Sequence, residues 1–211
     1  MIIKLISSTV VAIAGKNFVV IASDTRLSEG FQIQTRNQPK LFKLNKTTVL
    51  GVTGCWCDVL SFVKILEAKV KIYSWDHDAP MSTKAVAQQI STMLYGKRFF
   101  PYYISNIVAG LDENGVGAIY SYDPVGHFDR ADYRAGGSSA PLIQPLLDSQ
   151  IGKKNQLNVE NVPITIDHAK RVVKDAFISA AERDIYCGDS VLLQVITQDG
   201  ITEESFPLRK D

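Results

Sequence analysis

The sequence predicts a four-layer αββα sandwich of the α+β class. Three observations support this prediction: most expected strands are apolar along their whole length, they pair as successive hairpins, and groups of strands alternate with two pairs of helices. Strands that are apolar throughout need cover on both faces. Two sheets that face each other, each covered on its outer side by two helices, provide that cover.

Two hairpins are expected at the start of the chain. Apolar, β-branched runs flank short turn-forming sequences, and this arrangement is typical of a hairpin. The predicted strands cover 9–14, 18–22, 41–44 and 48–53, and an irregular stretch covers 24–39. We expect these four strands to complete most of the first sheet.

The pattern changes from strand to helix after residue 53. Apolar residues recur every three or four positions over 59–73, which is the period of an α-helix. Asp58 favours a helix start there, because a negative charge suits the N-terminal end of the helix dipole. Ser82 is the predicted N-cap of a second helix, which ends near Gly96. These two helices form one predicted outer layer.

Strands return beyond Pro101 and are expected to form the second sheet as a meander. They cover 103–109, 116–122 and 127–135, and turn sequences at 112–115 and 123–126 join them.

Two more helices and a hairpin complete the predicted order. The first helix has apolar residues over 142–147 and contains Pro145, which favours a kink or a frayed start. After a polar loop, the second helix carries apolar residues on one face over 166–180 and charged residues on the other. Strands at 191–196 and 201–206 close the domain as a hairpin.

The composition is that of an ordinary globular domain. Of the 211 residues, 45% are hydrophobic and 21% are charged, and the net charge is +1. We interpret 1–211 as a single domain. A net charge so near zero creates no field that would attract nucleic acid or an anionic membrane, so neither partner is expected. No apolar run suits an export signal or a membrane span, so we expect a soluble protein.

The cysteines indicate a reducing compartment. Cys55, Cys57 and Cys187 are odd in number and include a pair too close for an ordinary bridge. This argues against the disulfide framework of a secreted domain. The three histidines show no ligand spacing relative to the cysteines, so we expect buried apolar thiols, with no metal and no cofactor.

Four short sequences carry a resemblance to a known family. They are Ser-Asp-Thr-Arg at 23–26, Gly-Val-Thr-Gly at 51–54, Gly-Gly-Ser-Ser at 136–139 and Arg-Asp-Ile-Tyr-Cys-Gly-Asp at 183–189. In this order and spacing the chain resembles, over nearly its whole length, the proteasome β-subunits of the N-terminal-nucleophile hydrolase family. It is most similar to their eukaryotic type-1 group, which is non-catalytic and occupies the sixth ring position. The resemblance implies the αββα sandwich of that hydrolase type.

The resemblance also implies a set of active-site positions. Active members begin, after processing, with a threonine nucleophile, followed by an aspartate and then a lysine at equal intervals of 16 positions. Counting from Asp24 places Ser8 at the nucleophile position and Lys40 at the lysine position. The other positions carried over are Gly54 for an oxyanion hole, Ser139 and Asp184 as supporting residues, and Cys187 in place of a second supporting serine.

The nucleophile position lacks two features that active members use. Their hydroxyl is activated by the free α-amino group of the same residue, and autolysis after a glycine exposes that group. Here Ser7 precedes Ser8, so Ser8 has neither a free amine nor a cleavage glycine before it. We therefore expect a degenerate site with no catalytic residue, and interpret 1–7 as a short N-terminal extension or propeptide remnant.

The resemblance implies a structural subunit of the eukaryotic 20S proteasome, in cytoplasm and nucleus. Its expected role is to build the β-ring of the chamber for ATP- and ubiquitin-dependent protein degradation. The implied partners are other β-subunits of its ring, α-ring subunits and the opposite β-ring, in a hetero-oligomer of 28 subunits. One alternative is an active peptidase that uses Ser8 after processing. A more distant alternative is a self-compartmentalising bacterial protease of the same fold.

Some of these residues have two interpretations. For Asp24 and Lys40, we favour a buried ion pair that holds the first hairpin to the loop before Leu41 over a catalytic role. For Gly136 and Gly137, a strand-to-helix turn is favoured over a phosphate cradle, because the segment has no basic residue and no Walker pattern.

Three further features are left open by the sequence. The aromatic residues around Pro101 suit the core and a subunit contact equally; they are Phe99, Phe100, Tyr102 and Tyr103. The ending at 208–211 is expected to be a solvated tail or a contact with a neighbour. Ser28 and Val52 stand at positions that contact substrate in active relatives, and the sequence leaves open whether they line a usable pocket.

Overall fold

A computed structural model describes residues 6–157 and 163–210. Its strands are β1 Ile6–Ser7, β2 Thr9–Ala14, β3 Val19–Asp24, β4 Leu27–Glu29, β5 Gln32–Thr35, β6 Leu41–Lys43, β7 Thr48–Gly54, β8 Ile104–Leu111, β9 Gly117–Tyr122, β10 Phe128–Ala131, β11 Tyr133–Gly137, β12 Ser190–Thr197 and β13 Gly200–Pro207. Its helices are α1 Trp56–His77, α2 Thr83–Tyr95, α3 Ala140–Gln150 and α4 Ile166–Ala181. The predicted extension at 1–7 and the predicted polar loop before Pro163 lie partly outside the described residues.

Two five-stranded antiparallel sheets form the inner layers. One has the order β11-β2-β3-β12-β13 and the other β10-β9-β8-β7-β6. A small third sheet, β1-β4-β5, lies beside them. The helices α3 and α4 cover the first large sheet, and α1 and α2 cover the second. The predicted α+β sandwich is confirmed.

Three apolar clusters explain why the strands are apolar throughout. Along β2, Val10 and Ala12 face the opposite sheet, whereas Val11 and Ile13 face α3 and α4. Both sets are buried, because each inner sheet has a packed layer on either side. Burying side chains of this size stabilises the fold by about 1.5 to 3 kcal/mol each.

Two predictions of strand arrangement were wrong. The second hairpin, β6 with β7, belongs to the opposite sheet, because β7 pairs with β8 and not with the first hairpin. The predicted strand at 127–135 is two strands that break at Asp132: β10 pairs with β9, and β11 crosses to pair with β2. Local patterns predict strands but do not state which distant strand satisfies their backbone hydrogen bonds.

The stretch predicted to be irregular, 24–39, contains the hairpin of β4 and β5. Its second strand alternates between exposed and half-buried residues, so it lacks the apolar run that marked the other strands. The predicted N-cap is confirmed, since the Ser82 hydroxyl accepts a 3.2 Å hydrogen bond from the Ala85 amide. Among the described residues, no helix is long and apolar enough to cross a membrane.

Candidate functional site

The centre of the candidate site is an ion pair between the end of β3 and the residue before β6. Lys40 Nζ lies 2.7 Å from Asp24 Oδ1, and both side chains are 0% exposed. Lys40 Nζ also donates to the Arg26 carbonyl at 2.6 Å. The buried ion pair expected for Asp24 and Lys40 is therefore present in the structure.

Burial acts on the protonation of both partners. Loss of water raises the pKa of Asp24 and lowers the pKa of Lys40, while their attraction and direct hydrogen bond oppose both shifts. The amides of Thr9 and Arg26 also donate to Asp24, at 2.8 and 3.2 Å. The Lys40 ammonium group is thus engaged by Asp24 and the Arg26 carbonyl, within the folded chain.

A chain of hydrogen bonds extends from this pair through Thr9. The Thr9 amide donates to Asp24, and the Thr9 hydroxyl donates to Ser139 Oγ at 2.8 Å. Ser139 in turn donates to Asp184 Oδ2 at 2.6 Å. The structure therefore brings the predicted supporting residues together, and adds Thr9, which the sequence reasoning missed. A polar residue at the start of an otherwise apolar strand was the available signal.

The thiol at the predicted site is poorly suited to react. Cys187 is buried, and burial together with the nearby Asp24 carboxylate raises the pKa of its thiol far above the ordinary value, against the lowering effect of a Ser139 hydrogen bond. A thiol with a raised pKa stays protonated and is a weak nucleophile.

The prediction of buried thiols was wrong for the other two cysteines. Cys55 is half-buried at the N-cap of α1. Cys57 is exposed because it lies on the outer face of α1, away from the buried Val59 and Phe62. All three thiols are free.

Ser8 directly precedes Thr9, whose amide donates to Asp24 of the ion pair, and it is not a terminal residue because Ser7 precedes it. It is 1% exposed, and its carbonyl accepts a 3.0 Å hydrogen bond from the Ser138 amide. The residues before it continue as β1, in which Ser7 pairs with Ser28 and Ile6 with Glu29. Ser8 is thus shielded from solvent and held from both sides by backbone pairing.

The two positions at which active relatives contact substrate, Ser28 and Val52, are both buried. Val52 is fully buried, and Ser28 is buried beside β1. Phe42 and Trp56 stack with their ring centroids 6.5 Å apart and pack against the apolar cluster that contains Val52. Neither Ser28 nor Val52 offers open surface to a peptide.

Gly54, the predicted oxyanion-hole residue, is explained by packing. It has a φ of 113°, and a Cβ there would lie 2.3 Å from the Tyr103 carbonyl oxygen. Only glycine fits this close approach at positive φ. The structure places Gly54 at the end of β7, against Tyr103 and Ile104, where a side chain would collide with backbone atoms.

A second ion cluster, which the sequence did not predict as a site, ties the candidate site to residues 209–210; its Arg26 and Asp189 are buried and its Arg36 is exposed. Arg26 Nε lies 2.8 Å from Asp189 Oδ2, and Arg36 pairs with the other oxygen of the same carboxylate. Arg36 also donates to the Lys210 carbonyl at 2.6 Å, and the Asp189 amide donates to the Arg209 carbonyl at 3.0 Å. The cluster thus joins the β3–β4 connection to residues 209–210.

These contacts predict an acid-sensitive contribution to stability. Burial alone would raise the pKa of Asp189, but the hydrogen bonds and charges of Arg26 and Arg36 outweigh it and hold the pKa below the ordinary value. A carboxyl with a lowered pKa stabilises the fold above its unfolded pKa of about 3.9, and this contribution is lost as the pH falls through the folded pKa. We expect Asp189→Asn to lower the free energy of unfolding by about 1.5 to 3 kcal/mol at pH 7. Urea titrations from pH 7 to pH 2 should show this difference shrinking below about pH 4; a difference that stays constant would contradict the assignment.

The remaining open features divide between core and surface. Tyr102 packs edge-on against Phe62 with ring centroids 5.5 Å apart, whereas Phe99 is 97% and Phe100 77% exposed.

The predicted strand-to-helix turn is confirmed: Gly136 and Gly137 are the last residues of β11, and α3 begins three residues after Gly137. The prediction of a solvated ending was wrong for Leu208, which is buried and whose amide donates to the Asp189 carbonyl at 3.0 Å.

Comparison with known proteins gives a consistent set of relatives. A family profile described as proteasome subunit matches residues 6–196. The chain is 54% identical over 203 residues to the proteasome subunit beta type-1 of Danio rerio, covering 96% of this chain and 86% of that protein. It is 53% identical over 206 residues to the proteasome subunit beta type-1 of Drosophila melanogaster, covering 96% and 87%. With the proteasome subunit beta type-6 of Saccharomyces cerevisiae it shares 40% identity over 212 residues, covering 96% and 88%.

Proposed function

The chain belongs to the proteasome subunit family, among its eukaryotic β-ring subunits, and we propose that it builds the ring without cleaving peptides itself. In this proposal the residues at the family's active-site positions hold the fold together. Protein degradation by the complex then depends on other subunits, while this chain supplies part of the chamber wall.

The observation that carries the proposal is the state of Ser8. Its hydroxyl would need a free α-amino group as base, but that nitrogen is in a peptide bond to Ser7. Ser8 is also 1% exposed, and β1 continues the chain along Ser28 and Glu29. While the chain is unprocessed, this serine has neither its base nor access to a substrate carbonyl, and Ser7 stands where active relatives have the glycine after which they are cleaved.

The charged residues support the same proposal. Lys40 Nζ donates to Asp24 and to the Arg26 carbonyl, and these contacts join the end of β3 to the residue before β6. The hydroxyls of Thr9 and Ser139 are likewise committed, the first to Ser139 and the second to Asp184. These bonds link β2, β3 and the start of α3, which is the work of a structural network.

The wider setting is part of the proposal. We place the chain in a hetero-oligomeric particle of cytoplasm and nucleus, in contact with β-subunits of its own ring, with α-ring subunits and with the opposite β-ring. Its three free thiols suit a reducing compartment. Different neighbours on each side require different surfaces on each side, so specificity belongs in loops, termini and outer helix faces.

The test uses particles isolated from eukaryotic cells in which this chain replaces the cell's own corresponding β-subunit. We expect N-terminal sequencing to find residues before Ser8, and an epoxyketone probe to label other β-subunits of the same particle but not this one. Ser8→Ala should leave peptide hydrolysis by the particle unchanged. A chain that begins at Ser8 and carries the epoxyketone adduct would overturn the proposal and establish the active alternative.

A further inference from the structure

A cleft of about 870 Å³ lies at the other end of β2 from the candidate site. Thr9 at the start of β2 belongs to the candidate site, whereas Ala14 at its end lines the cleft. The length of the strand separates these two residues by about 17 Å. The cleft has the volume of a small-molecule site, and none of its lining residues belongs to the candidate site.

The charged side chains that line the cleft are mostly basic. Among the described residues they are Lys16, Arg130, Lys153, His168 and Arg171, with Asp132 as the one acidic residue. Arg130 pairs with Asp112 at 3.0 Å. Lys16, Lys153 and Arg171 form no ion pair with a carboxylate of residues 6–157 and 163–210. Because a cleft lined by one sign of charge concentrates its field, this cleft attracts anions.

The start of α4 adds backbone donors to the same cleft, since Thr165 and His168 both line it. The Thr165 hydroxyl accepts from the His168 amide at 3.3 Å, and the Thr165 carbonyl accepts from the Ala169 amide at 3.0 Å. The amides of Ile166 and Asp167 have no acceptor within the helix, because the first amides of a helix point out of its end. The positive end of this 16-residue helix therefore favours an anion in the cleft.

The placement of the cations indicates a ligand with several phosphate groups. Lys16 lies between β2 and β3, Lys153 follows α3, and Arg171 lies on α4, so three separate elements each supply one. A single phosphate is too small to contact every wall of a cleft of this volume. Lysine, arginine and helix N-termini all bind phosphate oxygens well. Ile151 and Ile164, both half-buried, add apolar lining for a carbon skeleton between the phosphates.

We propose that this cleft binds a small molecule that carries several phosphate groups, such as an inositol polyphosphate or a nucleoside triphosphate. Binding uses no residue of the candidate site, so it goes beyond the proposed function and does not depend on it. The ligand joins the β2–β3 turn, the segment after α3 and the start of α4, and it therefore stabilises the folded chain.

Isothermal titration calorimetry of the full chain tests the class of ligand. The probes are inositol hexakisphosphate, ATP and tripolyphosphate without divalent metal, and the controls are orthophosphate and benzenehexacarboxylate. We expect at least one probe to bind about tenfold more tightly than either control, because it makes at least one more charge-assisted hydrogen bond. The probe that binds most tightly identifies the skeleton. Equal binding of benzenehexacarboxylate, or no probe tighter than orthophosphate, would overturn the proposal.

Charge reversal tests the location of binding. Lys16→Glu with Arg171→Glu should weaken binding of the tightest probe at least about tenfold, because two charge-assisted contacts are lost. The matched control is Lys46→Glu with Lys97→Glu, two exposed lysines outside the cleft, which should change the affinity less than about threefold at 0.15 M salt. Equal losses in the two variants would show that binding follows net charge, and would overturn the proposal. All four residues are exposed, so circular dichroism should show the same fold for each variant.

Hydrogen exchange of the unmodified chain gives a test that needs no variant. The tightest probe should slow exchange at the amides of Ile166 and Asp167, because its phosphates occupy the end of α4. The amides of Thr83 and Lys84 are the control, since they begin α2 behind a similar hydroxyl cap at Ser82. No protection at α4, or equal protection at α2, would overturn the proposal.

Equilibrium dialysis tests binding in the assembled particle. Particles that contain the unmodified chain should bind one more molecule of the tightest probe per copy of this chain than particles that contain Lys16→Glu with Arg171→Glu. Equal numbers of bound molecules would overturn the proposal. If the unmodified chain does not enter the particle, the proposed function fails, and calorimetry of the full chain decides the cleft separately.

Discussion

Replacing Lys40 by Met should lower the free energy of unfolding by about 3 to 5 kcal/mol, because it leaves a buried carboxylate without its charged partner. Asp24 and Lys40 are both 0% exposed, so water cannot take the place of the missing ammonium group. Typical domains have only about 5 to 15 kcal/mol of stability, so most of the margin would be lost. Urea denaturation of the full chain, followed by tryptophan fluorescence, measures the loss.

The pH dependence of the stability of the Lys40→Met variant provides a second test of the same prediction. Burial already raises the pKa of Asp24, and removing Lys40 removes the main opposing influence, so the pKa rises further. The folded variant then takes up a proton more readily than the unfolded chain. Its deficit relative to the unmodified protein should be full above the folded pKa and should shrink as the pH falls toward about 3.9.

The double variant Asp24→Asn with Lys40→Met is the control. The amide oxygen introduced at position 24 can still accept a hydrogen bond from the Thr9 amide, and no uncompensated charge remains, so much of the lost stability should return. If Lys40→Met costs less than about 1 kcal/mol, the pair does not hold the hairpin to the loop before β6. A variant that kept its stability but abolished peptide hydrolysis would favour the catalytic interpretation.

The layered fold was predictable because each layer leaves a local signature in the sequence. Apart from threonines at their ends, the strands at 9–14 and 48–53 are apolar, which needs two covered faces, and α4 shows one apolar face. The assignment of hairpins to sheets was not predictable in this way. β3 pairs with β12, more than 160 residues further along the chain, and nothing local in β3 identifies that partner.

The candidate site was likewise predictable from the sequence only in part. The regular spacing of Asp24 and Lys40 was visible in the sequence, and the structure joins their side chains. The link from Arg26 to Asp189 spans 163 positions and depends on the fold to bring two loops together. The exposure of Cys57 also escaped prediction, because it depends on which face of α1 points away from the sheet. Residue type predicted the chemistry of these positions, whereas burial decided their role.

The turn that carries β11 into α3 should tolerate no side chain at Gly137. A Cβ there would lie 1.8 Å from the Ser8 carbonyl oxygen, 2.9 Å from the Ser8 carbonyl carbon and 3.2 Å from Thr9 Cα, and φ is 93°. The obstructing atoms are backbone, so no side chain can move aside to relieve the collision. We expect Gly137→Ala to cost about 3 to 5 kcal/mol, since strained backbone and overpacking each contribute about 1 to 3. Urea denaturation of the full chain measures it.

Gly30→Ala separates collision from backbone strain. Gly30 also has positive φ, at 60°, but no atom lies within 4 Å of its Cβ position, so this variant should lose only about 1 to 2 kcal/mol. Because Gly137 pairs with Thr9, Gly137→Ala should also displace Thr9 from Asp24 and speed hydrogen exchange at the Thr9 amide. Equal losses at the two glycines would mean that the turn yields without moving Ser8. A larger loss at Gly137, with faster exchange at Thr9, would show that the glycine is needed to hold Ser8 and the ion pair in place.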